Sequence, residues 1–128
     1  MIPFTKTSLL FSMIAGVVLL CSTEASAKCT VTFKFTNKDT HKITMLGSDS
    51  QARVNGLTWS KMNFNNVTIE PGKTGNATWT TNMSCGGNSK RDFRFKFQDS
   101  GDGNKYQESV DNVDIEDGLE YKYNIKND

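Results

Sequence analysis

Four basic side chains stand close together along the chain, at Lys90, Arg91, Arg94 and Lys96. Guanidinium and ammonium groups on one surface attract anions, such as lipid headgroups, acidic glycans or acidic segments of another protein. Arg94 and Lys96 alternate with phenylalanines, so in a β-strand they point away from the apolar face. This spacing predicts a basic surface for an anionic partner. The alternative is a protective role, because charged side chains also keep a strand from pairing with other chains.

Trp59 is the second candidate for ligand contact. It follows the turn-forming pair Asn55-Gly56, and a partly exposed aromatic side chain presents a flat apolar surface with a polar edge to a partner. Trp59 could therefore stack on a sugar ring. Trp79 shares its alternation with Ala77 in a predicted strand, so we expect Trp79 to lie in the core instead.

Asp99, Asp102 and Asn104 place three side-chain oxygen donors in one short segment. Calcium takes clustered carboxylate and amide oxygens, so this segment is a candidate calcium site. The spacing differs from that of an EF-hand loop, and a solvated acidic hairpin is the alternative interpretation. We expect no other cofactor.

Few residues suit catalysis. His41 is the single histidine, so neither a zinc site nor a Cys-His pair can be assembled from the usual ligands. The sequence has no serine-nucleophile motif and no phosphate-binding glycine loop. Acidic residues are frequent after residue 98, but a glycosidase carboxylate pair needs a deep cleft that a small domain seldom offers. We therefore predict that the protein is not an enzyme.

The N-terminal segment has the features of a secretory signal. Lys6 precedes an apolar run over residues 9–20, and Ala25-Ser26-Ala27 supplies small residues for cleavage. The run is shorter than the roughly 20 residues that a membrane-spanning helix needs. We expect cleavage after Ala27, a single domain over residues 28–128, and a secreted or periplasmic protein.

Removal of the leader would also remove Cys21 and leave Cys29 and Cys85. Two cysteines in an exported domain of this size predict a structural disulfide. The loop from residue 29 to residue 85 is long, and closing it stabilises the domain by about 4 kcal/mol in the chain-entropy model.

Apolar and polar side chains alternate in several segments, among them residues 31–35, 93–97 and 119–125. Alternation buries one face of a strand, and glycine-containing turn pairs separate the segments. The pattern predicts an all-β fold: a small antiparallel two-sheet sandwich with Greek-key connections, and at most an immunoglobulin-like architecture. About eight strands are expected, and a further short strand at 112–115 is left open. The segments with strand character are residues 30–37, 41–46, 51–55, 57–62, 66–70, 75–83, 91–98, 105–110 and 119–126.

The charge balance limits the class of partner. The chain carries 15 Lys and Arg against 14 Asp and Glu, a net charge of +1, whereas nucleic-acid binders usually have a strong basic excess. We therefore expect no nucleic acid among its partners. Three Asn-x-Ser/Thr sequences, at Asn66, Asn76 and Asn82, would be modified only in a host that glycosylates them.

Three short segments resemble aegerolysins: residues 57–61, residues 84–86, and Phe93 with Phe95. The resemblance implies a small β-sandwich that binds particular membrane lipids. This chain departs from that family by its leader, by Cys29 and by the absence of a Cys-Pro-Trp ending, so no residue role is transferred.

Together these features predict an exported, non-enzymatic binding module for a protein or glycan partner outside the cytoplasm. A membrane-active or lipid-binding protein and a calcium-dependent domain are the alternatives.

Overall fold

The computed structural model describes residues 28–81, 85 and 90–127. The predicted leader (residues 1–27), the sequon at Asn82 and the glycine pair Gly86-Gly87 lie outside the described residues. The described residues contain no helix. They form eight β-strands: β1 (Cys29–Asn37), β2 (Ile43–Val54), β3 (Ser60–Lys61), β4 (Val67–Ile69), β5 (Thr74–Thr81), β6 (Lys90–Asp99), β7 (Lys105–Asp114) and β8 (Glu120–Ile125).

The strands form two sheets, which confirms the predicted two-sheet β-sandwich. The first sheet has the order β5-β1-β8, and the second has the order β3-β2-β6-β7, with β4 also paired to β2. All pairs are antiparallel except β1 with β8, which run parallel. The parallel pair departs from the predicted antiparallel sandwich, because alternation fixes the face of a strand but not its direction.

Strand β2 joins two segments that the sequence predicts as separate strands, residues 41–46 and 51–55. Its pairing with β6 shifts register between Leu46 and Gln51, so one long strand continues through an irregular region. Gly47 is required there, because a Cβ atom at this position would lie 1.6 Å from the backbone oxygen of Phe64. The absence of a side chain at Gly47 therefore allows the segment after β3 to pack closely against β2.

Aromatic side chains from both sheets fill the core. Phe33 of β1 meets Phe93 and Phe95 of β6 in edge-on contacts, with ring centroids 5.2 and 5.1 Å apart. Trp79 packs against the same cluster and is 8% exposed, as its alternation predicts. The alternating residues of β1 and β6 therefore face each other across the sandwich.

The predicted glycine turns have the expected backbone. Gly56, Gly72, Gly103 and Gly118 all have positive φ angles, between 75° and 85°. Glycine adopts this conformation without the steric strain that a Cβ atom causes. These turns connect β2 to β3, β4 to β5, β6 to β7 and β7 to β8.

The predicted disulfide is present between Cys29 and Cys85, with the two Cα atoms 5.6 Å apart. Cys29 is 1% exposed and opens β1, opposite Thr81 at the end of β5. The bond therefore links the start of the central strand of the first sheet to the segment that follows β5. Such a bond is compatible with an oxidising compartment.

We expect the double variant Cys29→Ser/Cys85→Ser to lose about 4 kcal/mol of unfolding free energy, because the unfolded chain regains the entropy of the open loop. Urea unfolding of the oxidised wild type and the variant measures this difference. Reduction of the wild type should give the same loss. A variant as stable as the oxidised wild type would contradict the prediction.

Candidate anion-binding site

The outer face of the second sheet brings basic residues of β2 and β6 together. Gln51 of β2 pairs with Arg94 of β6, and Arg53 pairs with Asp92. Arg94 and Lys96 are partly exposed, in alternation with the buried Phe93, Phe95 and Phe97. This confirms the outward direction that the sequence predicts for Arg94 and Lys96.

Trp59 lies over this face and contacts two of its arginines. The guanidinium carbon of Arg94 is 3.8 Å from the centre of the Trp59 ring, and that of Arg53 is 4.5 Å away. A guanidinium over an indole is attracted by the negative face of the ring. The predicted stacking aromatic and the predicted basic surface are therefore parts of one site.

Arg91 does not belong to this surface, which corrects the predicted set of four basic residues. Arg91 is only 2% exposed. Its position along β6 has the same parity as that of Phe93, which directs the side chain between the sheets. Burial lowers the pKa of the Arg91 guanidinium. Lys90 does face outward, but its ammonium lies 2.8 Å from the carboxylate of Asp114.

Asp92 shares the parity of Arg94 yet is only 2% exposed. Its carboxylate accepts hydrogen bonds from the Nε of Arg53 at 2.8 Å, the backbone N–H of Asn112 at 3.0 Å and the side-chain amide of Asn55 at 3.2 Å. The Asn112 and Arg53 hydrogen bonds hold the pKa of Asp92 below its usual range. Asp92 therefore fixes Arg53 beneath Trp59.

A backbone irregularity creates this arrangement. The pairing of β6 with β7 shifts register between Arg91 and Phe93, and Asn112 opposite the shift has a φ of 59°. Bulges of this kind turn a backbone N–H out of the ladder, and here the N–H of Asn112 donates to Asp92.

The surrounding surface is also basic. Asp49 accepts a hydrogen bond from the ammonium of Lys105 at 3.0 Å. That bond, together with the charges of Lys61 and Lys96, lowers the pKa of Asp49. Five basic side chains therefore share this region with two carboxylates: Arg53, Arg94, Lys61, Lys96 and Lys105 beside Asp49 and Asp92.

The carboxylates of two predicted calcium ligands, Asp99 and Asp102, accept hydrogen bonds in the β6–β7 hairpin. The backbone N–H groups of Gly101 and Asn104 donate to Asp99 and Asp102 respectively, and the Tyr106 hydroxyl also donates to Asp102. These contacts close the β6–β7 hairpin, and they hold the pKa of Asp102 below its usual range, the Tyr106 bond having the largest effect. Calcium binding by Asp99, Asp102 and Asn104 stays a prediction.

Asp99 also lies beside Asp39 and His41. One ligand atom from each residue lies within 4.8 Å of the others, and the Nδ1 of His41 is 3.8 Å from the Oδ1 of Asp99. Gly101 leaves room for the imidazole, because a Cβ atom there would lie 2.6 Å from that Nδ1. Two carboxylates and one imidazole are a donor set that a divalent transition metal accepts.

A cleft of about 340 Å³ opens next to the basic face, between the edge strands β3 and β5. One wall is the segment from Leu57 to Asn63, which is held to β2 by hydrogen bonds from the N–H of Met62 to Ser50 and from the N–H of Asn63 to Gly47. The other wall is the end of β5. Trp59 and Arg94 do not line this cleft.

Sequence reasoning missed Arg53, Lys61 and Asp92. Arg53 follows Gln51 with the parity of an outward side chain, so alternation carried a signal for it. The proximity of Lys61 to Lys96 was not visible, because it depends on how the chain returns after the Asn55-Gly56 turn.

Among the sequons, Asn66 and Asn76 are exposed. The side-chain oxygen of Asn66 accepts a hydrogen bond from the N–H of Gly47. Their modification stays a prediction.

Comparison with known proteins gives no relative from which a function could be transferred: neither a family model nor a curated protein matches the chain. Within the described residues no helix is long and apolar enough to span a membrane. The function therefore has to be inferred from the chain's own residues.

We expect Asp92→Asn to destabilise the domain by about 2 kcal/mol near neutral pH, because hydrogen bonds to a buried charge contribute about 1.5–3 kcal/mol. The folded pKa of Asp92 is depressed, so its contribution is complete above the unfolded value of about 3.9 and is lost as the pH falls through the folded pKa. The stability difference between wild type and variant should therefore shrink in acid. Chemical unfolding at several pH values measures it, and a difference independent of pH would contradict the role of the charge.

Proposed function

We propose that the protein is a non-enzymatic binding module that acts outside the cytoplasm and recognises an acidic glycan through the face formed by Trp59, Arg94, Lys96 and Lys61. The observation that carries this proposal is the position of Arg94, whose guanidinium lies 3.8 Å from the centre of the Trp59 ring. Cations around an aromatic ring suit a ligand with an apolar ring face and anionic substituents. Sulfated or uronic-acid sugars have that chemistry.

The charges on this face differ in how they are engaged. Arg53 is paired with the buried Asp92 and serves to support Trp59. Arg94 donates a hydrogen bond of 3.4 Å to the side chain of Gln51. Because Gln51 is neutral, this bond does not offset the positive charge of Arg94. Lys96 makes no ion pair with any described residue. Arg94 and Lys96 are therefore the side chains proposed to contact the anionic groups of the glycan.

The export and the extracytoplasmic site of action rest on the predicted leader, and the disulfide between Cys29 and Cys85 is consistent with an oxidising environment. The absence of recognisable catalytic motifs in the sequence supports binding rather than catalysis.

We expect Arg94→Gln and Lys96→Gln each to weaken binding of the purified mature protein to a sulfated polysaccharide such as heparin by about tenfold. A hydrogen bond to a charged group contributes about 1.5–3 kcal/mol, and 1.4 kcal/mol corresponds to a factor of ten. Titration calorimetry at two salt concentrations measures the affinity, which should fall with salt because exposed charges are screened.

Lys122→Gln is the matched control, because Lys122 is exposed on β8 in the other sheet and carries the same charge. Equal weakening by Lys122→Gln and Arg94→Gln would indicate attraction to net charge alone and contradict the proposal. Neutral dextran should not bind.

Binding to membrane lipids is the second candidate function, and the side chain of Leu57 favours it. Leu57 is 56% exposed in the same β2–β3 connection as Trp59, next to the basic face. An apolar side chain beside an aromatic ring and cations can enter a lipid interface while the cations contact anionic headgroups.

We expect, if lipid is the ligand, that the mature protein co-sediments with vesicles containing phosphatidylserine at low salt and much less at high salt or with neutral vesicles. Leu57→Ser should reduce this binding several-fold while leaving heparin affinity unchanged. No binding to either type of vesicle would set the lipid function aside.

A further inference from the structure

We propose that the cleft between β3 and β5 is a second binding site, which takes a small carboxylate with an apolar body. The cleft has a volume of about 340 Å³, at the lower end of the range of small-molecule sites. That volume suits a short-chain or single-ring ligand better than a segment of protein. The inference does not depend on the glycan-binding function, because Arg94 and Lys96, the side chains proposed to contact the glycan, do not line the cleft.

The composition of the lining points to an amphipathic anion. Among described residues the lining contains three basic side chains and no acidic one. Charge complementarity therefore favours an anion. The rest of the lining is apolar or uncharged, and its apolar members are Ala52, Val54, Leu57, Met62 and Trp79.

The basic side chains lie at two depths. Arg91 is buried in the wall, and Lys61 is exposed and forms no ion pair with any described residue. The charge of the third, Arg53, is offset by Asp92. Lys61 is therefore the side chain placed to contact the carboxylate.

The apolar side chains of the lining would contact the apolar body of the ligand. Met62 and Trp79 are 5% and 8% exposed and present an apolar surface to the cleft. Leu57 also lines it, and this is one of the two large hydrophobic side chains that are exposed among the described residues. A ligand chain seated against Met62 and Trp79 would cover Leu57 and remove its apolar surface from water.

The test uses octanoate and 4-phenylbutyrate as probes, with octylammonium as the probe of opposite charge. In the variant Trp59→Phe the mature protein keeps one tryptophan, Trp79, whose fluorescence reports occupancy of the cleft. We expect at least one carboxylate to bind with a Kd of about 1 mM or tighter, as an efficient ligand of this size can. Octylammonium should bind at least tenfold more weakly.

Two variants locate the binding without disturbing the core, since Ser60 and Lys61 are both exposed. Ser60→Phe should abolish binding by filling the cleft, and Lys61→Gln should weaken it about tenfold through loss of a charged hydrogen bond. Lys122→Gln on the other sheet should have no effect.

Binding of neither carboxylate, equal binding of octylammonium, or unchanged affinity in Ser60→Phe would each overturn the inference. Failure of the glycan function would appear differently: the protein would not bind heparin, or Arg94→Gln would leave its heparin affinity unchanged.

Discussion

The structure depends on the contact that Phe33 makes between the two sheets. Its ring lies within 6.4 Å, centroid to centroid, of six others, contributed by β1, β5, β6 and β8. Phe93 and Phe95 meet it edge-on from the opposite sheet, an arrangement that adds attraction to the burial of apolar area. Because β1 and β6 both alternate, fixing these rings inward also fixes Lys34, Arg94 and Lys96 outward. The basic face is thus a consequence of how the core is packed.

Much of this could be predicted from the sequence, since alternation is a local property. The eight strands, the disulfide, the core position of Trp79 and the outward direction of Arg94 and Lys96 follow from parity and turn residues. Parity also directs Arg91 inward. The prediction of a basic surface that includes Arg91 did not take this parity into account. The parallel pairing of β1 with β8 could not be read, because strand order and direction depend on contacts between distant segments.

The site depends on departures from regular alternation, which is why sequence alone could not assemble it. Asp92 has outward parity, yet a register shift in β6–β7 turns the N–H of Asn112 toward it, and Arg53 and Asn55 donate further hydrogen bonds. The contact of Trp59 with Arg94 likewise depends on how the β2–β3 connection returns over the sheet. In the segment predicted to bind calcium, the carboxylates of Asp99 and Asp102 accept hydrogen bonds from their own hairpin, and the clustering of oxygen donors in the sequence does not show these contacts.

The position of β1 has a consequence for how the chain reaches this state. It is the first strand of the described residues and the central one of its sheet, but its neighbours β5 and β8 come much later in the chain. No local hairpin can shield it, so Phe33 and Phe35 stay exposed until β5 and then β8 have been made. Such late, long-range pairing slows folding and exposes apolar surface in the meantime. Strand β8 is therefore the last strand to join the first sheet, and without it one edge of β1 would have no partner.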